Sequence, residues 1–410
     1  MSRRSNEAPR VRNAQRRHLL AGSAAALAAA GLGAFHKTAI AQAASAAAKP
    51  LPPYTAWKDP AAMIVHTSNT LETKRSAFGT SIITPVEQLY VRNNLPAPDA
   101  AIVADRDAWE MMIEGVKNPR KLTVRELRGM GLETVAMVLQ CSGNGRGYFP
   151  SKPSGTPWQV GAAGCVMWSG VPVKAVVEAL GGLADGAVFM TSTGGEKLPE
   201  GVDPKSVMVE RSVPLKAMGD ALLAWELNGA PIPLAHGGPL RIIVPGYSGV
   251  NNVKYIKRLA FTAQESDAAI QKTGYRLSAP GQKGDPGQPS IWEMGVKSWI
   301  NSPAPEGGTV PAGMVQIKGV AFGGAHAVKA VEVSVDGGKT WKEARFVGPD
   351  LGRYAWRQFA LAVQLPPGTH TIASRAIDAQ GNRQPEERVE NAGGYNNASW
   401  RDHALQVTVA

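Results

Sequence analysis

The sequence predicts an α+β protein in two parts, a mixed α/β domain over residues 44–296 followed by an immunoglobulin-like β-sandwich over residues 297–410. Three observations carry this. Strand-like and helix-like patterns interleave as far as about residue 290; residues 275–289 are then rich in Gly and Pro with little periodicity; beyond Lys297 only short alternating runs remain, with turn signals between them. A chain of 410 residues is long enough for two domains that each bury a core.

The elements follow in order. Residues 44–60, rich in Ala, Lys and Pro, read as an extended arm. Trp109, Met111 and Ile113 alternate as a strand, Asn118-Pro119 turns the chain, and Thr123 with Glu126 three residues on is a capping-box start for a short helix. Val135, Met137 and Leu139 have the period of a half-buried strand that delivers Cys141. Residues 172–180 read as a helix opened by Pro172 and closed by Gly181-Gly182. Leu223, Trp225 and Leu227 form a strand ended by Asn228-Gly229, and residues 240–244 are a buried strand running into Pro245-Gly246. In the second part, Val331-Val333-Val335, the Asp336-Gly337 turn, and the runs 359–363, 371–377 and 405–409 give the spacing of a sandwich. Residues 275–289 are left as a linker or pocket-covering loop.

Gln15-Arg16-Arg17-His18-Leu19-Leu20, followed by an Ala- and Gly-rich apolar stretch to Ala34, reads as a twin-arginine export signal covering residues 1–43, with Ala41-Gln42-Ala43 as the cleavage site. The stretch is short and broken by Gly22, Gly31 and Gly33, which argues against a membrane span. A periplasmic location is the expectation, and export of an already folded protein fits a cofactor inserted beforehand. The net charge of +11 comes largely from this signal, which holds seven of the 44 basic residues and one of the 33 acidic ones; without it the balance is +5. No basic run carries interleaved aromatics, so nucleic acid is not an expected partner, whereas a small anion is.

Two cysteines serve a chain bound for an oxidising compartment, so a Cys141–Cys165 disulfide is one reading. The other begins from the run Leu139-Gln140-Cys141-Ser142-Gly143-Asn144-Gly145-Arg146-Gly147, which sets a lone thiol at a strand end with a basic residue five positions on. A soft thiolate suits a heavy transition metal, and Gly143, Gly145 and Gly147 would let a bulky cofactor approach the backbone. Taken by itself, a cysteine in an apolar strand is more often a small buried hydrophobe. No Cys-x-x-Cys-His occurs, so no covalent haem is expected in this chain.

The pattern Cys141-Ser142-Gly143-Asn144-Gly145-Arg146 resembles the molybdenum-ligand motif of the sulfite oxidase family. Four further segments match that family in order: residues 90–96, Trp158 ahead of Gly161-Ala162, residues 236–246 continuing to Val253-Lys254-Tyr255, and residues 333–341. The resemblance implies a molybdopterin-binding domain and a dimerising sandwich, hence a homodimer. It implies Cys141 as the metal ligand to molybdenum, completed by the dithiolene of a pyranopterin. Arg92, Arg146 and Trp158 match substrate-pocket positions, Tyr275 a catalytic tyrosine, and His236, Arg241 and Lys254, with Asn252 and Val253, positions that grip the pterin and its phosphate. Two departures stand out. Asn94 replaces a histidine common in relatives, and Gly393 falls where animal enzymes carry a further substrate arginine.

The activity so implied is oxidation of sulfite to sulfate, with electrons passed to an external c-type cytochrome. Sulfane dehydrogenation of a carrier-bound sulfur chain, or sulfoxide reduction, are alternatives on the same scaffold. From another class, an exported immunoglobulin-like binding module would make Cys141 merely structural.

Overall fold

Period-two alternation around Val138 decides how the first domain is layered. The strand Glu133–Gln140 pairs antiparallel with Ala163–Pro172 along its whole length. Met137, Leu139 and Cys141 therefore point into one core and Ala136 and Val138 into another, because successive side chains on a strand leave opposite faces. The second core is shared with the sandwich and holds Trp299, Val320, Phe322 and Trp356. With aromatic side chains burying roughly 200 Å² each at about 25 cal/mol per Å², this junction is worth several kcal/mol, far more than a loose linker contact.

The computed structural model describes residues 49–410, which group as one compact unit. The export signal read in residues 1–43 lies outside the described residues. Among the described residues no helix is long and apolar enough to cross a membrane.

Two five-stranded sheets and the small sheet Met63–Thr67, Thr70–Thr73, Val91–Arg92 build the first domain. One runs in the order Ala230–Pro231, Leu222–Leu227, Ala163–Pro172, Glu133–Gln140, with Arg241–Ile243 also paired to Leu222–Leu227. The other runs Arg120–Thr123, Glu110–Glu114, Ile256–Thr262, Phe189–Gly194, Glu210–Pro214, and its Glu110–Glu114 and Ile256–Thr262 strands are parallel. Their main shared core includes Ile113, Val171, Leu223, Ile242 and Leu259 and takes in the apolar faces of the helices Val124–Arg128 and Val173–Ala179. The α/β class holds with little helix: the longest helix among the described residues has 7 residues.

Local chemistry explains the element ends. Thr123 and Glu126 form the reciprocal capping box expected of them. Pro172 caps the Val173–Ala179 helix, and Gly181 and Gly182 leave it with φ of +86° and +95°. Asn228 and Gly229 both have positive φ, which lets Leu227 pair with Ala230 across a two-residue hairpin. Residues 275–289 carry no helix or strand but are tied shut, since Leu277 donates to the Pro289 carbonyl and Ile291 to that of Tyr275.

One expectation is corrected. Residues 49–60 are no free arm: a short turn at Pro53–Thr55 leads to Lys58, whose Nζ is buried, donates to the carbonyls of Val86 (2.8 Å) and Leu89 (2.6 Å) and lies 3.1 Å from His236 Nε2. Buried carbonyls need donors, and here a lysine supplies them.

The sandwich begins with the strand Lys297–Ser302. Its sheets run Lys297–Ser302, Gly313–Phe322, Arg357–Leu365, Arg345–Val347 and Lys342–Glu343, Val328–Ser334, Gly368–Asp378, Leu405–Val409, around a core that includes Ile317, Val331, Phe359 and Ile372. Gly337 and Gly338 have positive φ in the Asp336 turn, where the carboxylate accepts from the Lys339 and Thr340 amides.

Lys58 and Lys297 are buried, and burial pushes each ammonium down to about 7. An unfolded lysine titrates near 10.4, so between about pH 7 and 10 unfolding takes up a proton at each site and stability rises with pH. Lys297→Met is expected to flatten that rise by up to roughly 1.4 kcal/mol per pH unit, read as the variant-minus-parent difference in urea unfolding at pH 7 and 9. Parallel curves would show that Lys297 keeps its proton in the fold.

Candidate active site

Cys141 follows the last residue of the Glu133–Gln140 strand and is still held in the ladder, its amide donating 2.9 Å to the Ala162 carbonyl. The loop after it closes on itself, Asn144 N–H donating to the Cys141 carbonyl and Arg146 N–H to that of Gly143. Asn144 braces it further, accepting from Ala162 N–H at 3.1 Å and donating to Gln140 Oε1 at 2.9 Å.

The glycines of this loop act differently from the expectation. A side chain at Gly143 would press on the Arg146 guanidinium at 2.5 Å, one at Gly145 on Asn397 at 2.9 Å, and one at Gly147 on the Pro157 carbonyl at 2.8 Å. They admit the protein's own groups. The disulfide reading fails for a reason of pleat: Cys165 pairs with Val138 and faces the interdomain core, whereas Cys141 faces the other way. Both thiols are free, and burial pushes that of Cys165 up to about 12.

Cys141 lies where two cavities meet. The deeper one is lined by Asn94, His236, Arg241, Asn252, Val253 and Lys254, together with Tyr90 and Glu196. The outer one is a mouth bounded by Arg146, Thr156 and Tyr395. Arg92, Asn93, Asn94, Cys141 and Tyr275 border both. The elements responsible are distant in sequence. Arg92 rides the small sheet Met63–Thr67, Thr70–Thr73, Val91–Arg92; His236 ends a turn before the Arg241–Ile243 strand; Tyr275 is held at φ +49° in the closed loop.

The deep cavity is crowded with cationic groups. Arg241 is buried, donates to the His236 and Asn252 carbonyls, and has its ordinary value pushed down to about 10 by burial. Lys254 donates 2.6 Å to Asn93 Oδ1 and 2.6 Å to the Ala235 carbonyl; burial, and then Arg241 beside it, holds it well below the usual lysine range. Burial and the neighbouring Lys58 hold His236 far down as well, so the imidazole is neutral, with its Nε2 3.1 Å from Lys58 Nζ. Glu196 is the acid among them, its carboxyl pushed up to about 7 by burial. Such crowding favours an anionic occupant, whose charge would offset what burial costs these groups.

At the mouth, Arg146 is spent on two carbonyls through Nε to Gly393 (2.8 Å) and Nη1 to Thr156 (3.1 Å), and its guanidinium lies 5.3 Å from the Tyr395 ring centre. Tyr275 and Tyr395 stack with centroids 5.0 Å apart and planes 20° apart. Burial, then Tyr275, raises the Tyr395 phenol to about 12. At Arg92 burial opposes the charge, but Tyr275 and Cys141 outweigh it and raise its value, leaving a fixed cation between the two cavities.

Trp158 is the exception among the expected residues. It is fully buried and borders neither cavity, lying behind the wall edge-to-face with Tyr90 at 6.3 Å and His66 at 5.2 Å. Glu72 holds the backbone that follows it by accepting from the amides of Gln159 and Gly161, while the indole N–H itself has no hydrogen-bond partner among the described residues. Sequence reasoning missed Tyr90, Asn93, Glu196, Lys58 and Tyr395. Tyr90 and Asn93 flank Arg92 and were within reach; Glu196 follows Gly194-Gly195 and looks like any loop acid.

Comparison with known proteins agrees with this geometry. Residues 96–270 match the oxidoreductase molybdopterin binding domain family and residues 288–408 the Mo-co oxidoreductase dimerisation domain family. The chain is 32% identical to sulfite oxidase of Gallus gallus over 340 residues, covering 78% of this chain and 72% of that one. It is 31% identical to sulfite oxidase of Arabidopsis thaliana over 367 residues, covering 82% and 91%. Among solved structures, the sulfane dehydrogenase SoxCD from Paracoccus pantotrophus superposes with a TM-score of 0.70 over 84% of this chain and 88% of that one, at 24% identity, which speaks to the fold. These matches set aside the reading of an exported binding module. With both domains in the expected order and relatives similar over most of their length, the chain belongs to the sulfite oxidase family of molybdenum oxidoreductases.

Proposed function

We propose that the protein oxidises sulfite to sulfate, with Cys141 as the protein ligand of a molybdenum centre carried by a pyranopterin. The observation that supports this most is the position of Cys141 at the junction of a cation-crowded inner cavity and an arginine-bearing mouth. The inner cavity suits the organic part of such a group. Arg241 Nε and Glu196 Oε2 are buried and lack hydrogen-bond partners among the described residues, a donor for an anionic tail and an acceptor for a ring N–H. No group of three or more His, Cys, Asp or Glu side chains converges among the described residues, so a metal at Cys141 would draw its other ligands from the cofactor.

The bound cofactor would supply oxygen-atom transfer and take up two electrons. The chain's own residues do the rest. Arg92 and the remaining Nη2 edge of Arg146 would bind sulfite oxygens at the mouth, as planar cationic donors suit an oxyanion. Tyr275 borders both cavities and would donate its phenolic proton toward the reacting oxygen. Lys254 and Arg241, with the backbone beside Asn252 and Val253, would hold the anionic tail, and Lys58 holds the His236 ring in place beside them.

The export signal motivates a periplasmic site of action, and the absence of a haem-attachment motif in the sequence motivates an external c-type cytochrome as electron acceptor. The dimerisation-domain match supports a homodimer through the sandwich. A second reading, oxidation of a carrier-bound sulfane sulfur, is favoured by Gly393, which supplies no further cation for a small oxyanion.

Cys141→Ser is expected to abolish sulfite-dependent reduction of ferricyanide or cytochrome c and to lower molybdenum content, with an unchanged circular-dichroism spectrum; full activity in the folded variant would remove the ligand assignment. Arg146→Gln is expected to raise the KM for sulfite about 10- to 100-fold, the scale of one hydrogen bond to a charged group, with a smaller change in kcat. An unaltered KM would place Arg146 outside the binding mouth. Tyr275→Phe is expected to lower kcat at least tenfold with little change in KM, measured at saturating sulfite.

A further inference from the structure

The segment between the Gly368–Asp378 strand and the helix Trp400–His403 carries Tyr395 from the second domain into the first domain's mouth. Its placement is held from both sides of the residue. Asn391 Oδ1 accepts from the Tyr395 amide at 2.9 Å and Asn391 Nδ2 donates to the Tyr395 carbonyl at 3.0 Å, while the next amide, Asn396, donates to the Ser142 carbonyl in the cysteine loop. The ring is held too, stacked on Tyr275 and carrying the Arg146 guanidinium.

Gly393 shows how closely that ring is fitted. A Cβ there would collide with the Tyr395 ring, and one at Gly394 would lie 2.7 Å from Arg146 Cγ. Tyr395 therefore occupies the space that a side chain at 393 would need. Its hydroxyl makes no hydrogen bond among the described residues, and it is absent from the fully buried, unpartnered polar atoms. A phenol that borders a cationic mouth with its donor unspent has one use beyond packing.

We infer that Tyr395 is a specificity-determining residue of this site, its ring narrowing the mouth to a small sulfur oxyanion and its hydroxyl donating to one of that anion's oxygens. The inference rests on the oxyanion reading of the mouth given above. Arg146 supplies charge, and Tyr395 supplies size and one neutral donor. A bulkier sulfur substrate would have to displace the ring and break the stack with Tyr275.

The test uses the metal-loaded full chain with Tyr395→Phe and Tyr395→Ala, and two readouts. The first is the KM and kcat for sulfite against those for phenylsulfinate, a larger donor that would undergo the same oxidation, sulfinate and water giving sulfonate, two protons and two electrons. The second is sulfate binding by calorimetry, which needs no turnover. Tyr395→Phe is expected to raise the sulfite KM and weaken sulfate about 3- to 10-fold, the scale of one neutral hydrogen bond, with kcat within twofold. Tyr395→Ala is expected to raise the phenylsulfinate-to-sulfite ratio of kcat/KM at least tenfold, and Tyr395→Leu serves in its place should the alanine variant fail to fold.

The inference is overturned if Tyr395→Phe keeps the parent KM and sulfate affinity, or if the ratio does not rise in the truncated variant. A parent protein that neither oxidises sulfite nor binds sulfate overturns the oxyanion reading itself and this inference with it. A parent that does both, with variants that match it, overturns the role of Tyr395 alone.

Discussion

Three carbonyls of the cysteine loop are satisfied from the other domain, and the site depends on that. Ser142 accepts from the Asn396 amide, Asn144 from Lys297 Nζ at 3.3 Å, and Gly145 from Asn397 Nδ2 at 3.0 Å. Arg146 returns the favour, donating to Gly393. A buried carbonyl without a donor costs on the order of 1–3 kcal/mol, so the Ser142 and Asn144 carbonyls tie the loop's shape to the second domain, while Gly145 also has the Tyr148 amide. Asn397 is fixed in turn by Asp402, which also takes both bonds from Arg388. The thiol is thus aimed by the sandwich as much as by the strand that carries it. Calling the second domain only a dimerising module would miss half of its work.

Charge is the second organising constraint. The inner cavity gathers Arg92, Arg241 and Lys254, with Lys58 behind His236, around one carboxylate. Burial disfavours each of these charges, and their neighbours' like charge adds to the cost at Lys254 and His236. Natural proteins retain such arrangements where an occupant of opposite charge compensates them. The mouth is built on another rule: its cation is shared between backbone carbonyls and an aromatic face, which directs the guanidinium without neutralising it.

Much of this was legible in the sequence, for identifiable reasons. Strand periodicity gives Met137 and Leu139 one common face, though the opposite face, expected open, is buried at Val138 against the sandwich; the capping box, the Asn228-Gly229 strand end and the Gly181-Gly182 stop are local signals that survive any tertiary context. What escaped depends on contacts far apart in the chain. Nothing near Lys58 announces that its ammonium will meet an imidazole 178 residues away. The resemblance implies Trp158 on the pocket wall, yet it lies behind that wall, edge-to-face with Tyr90. The glycines after Cys141 signal close approach without saying of what, and at Gly393, where the resemblance implies a missing arginine, an aromatic ring two residues on already fills the space.

The pairing of Val138 with Cys165 gives the molecule an uneven tolerance to change. Substitutions along residues 133–140 alter packing by degrees, but a single inserted or deleted residue would reverse the pleat beyond it. The Cys141 thiol would then turn into the interdomain core, and side chains grown to fit that core would be presented to the cavities. Drift in this strand can proceed by replacement and hardly at all by change of length.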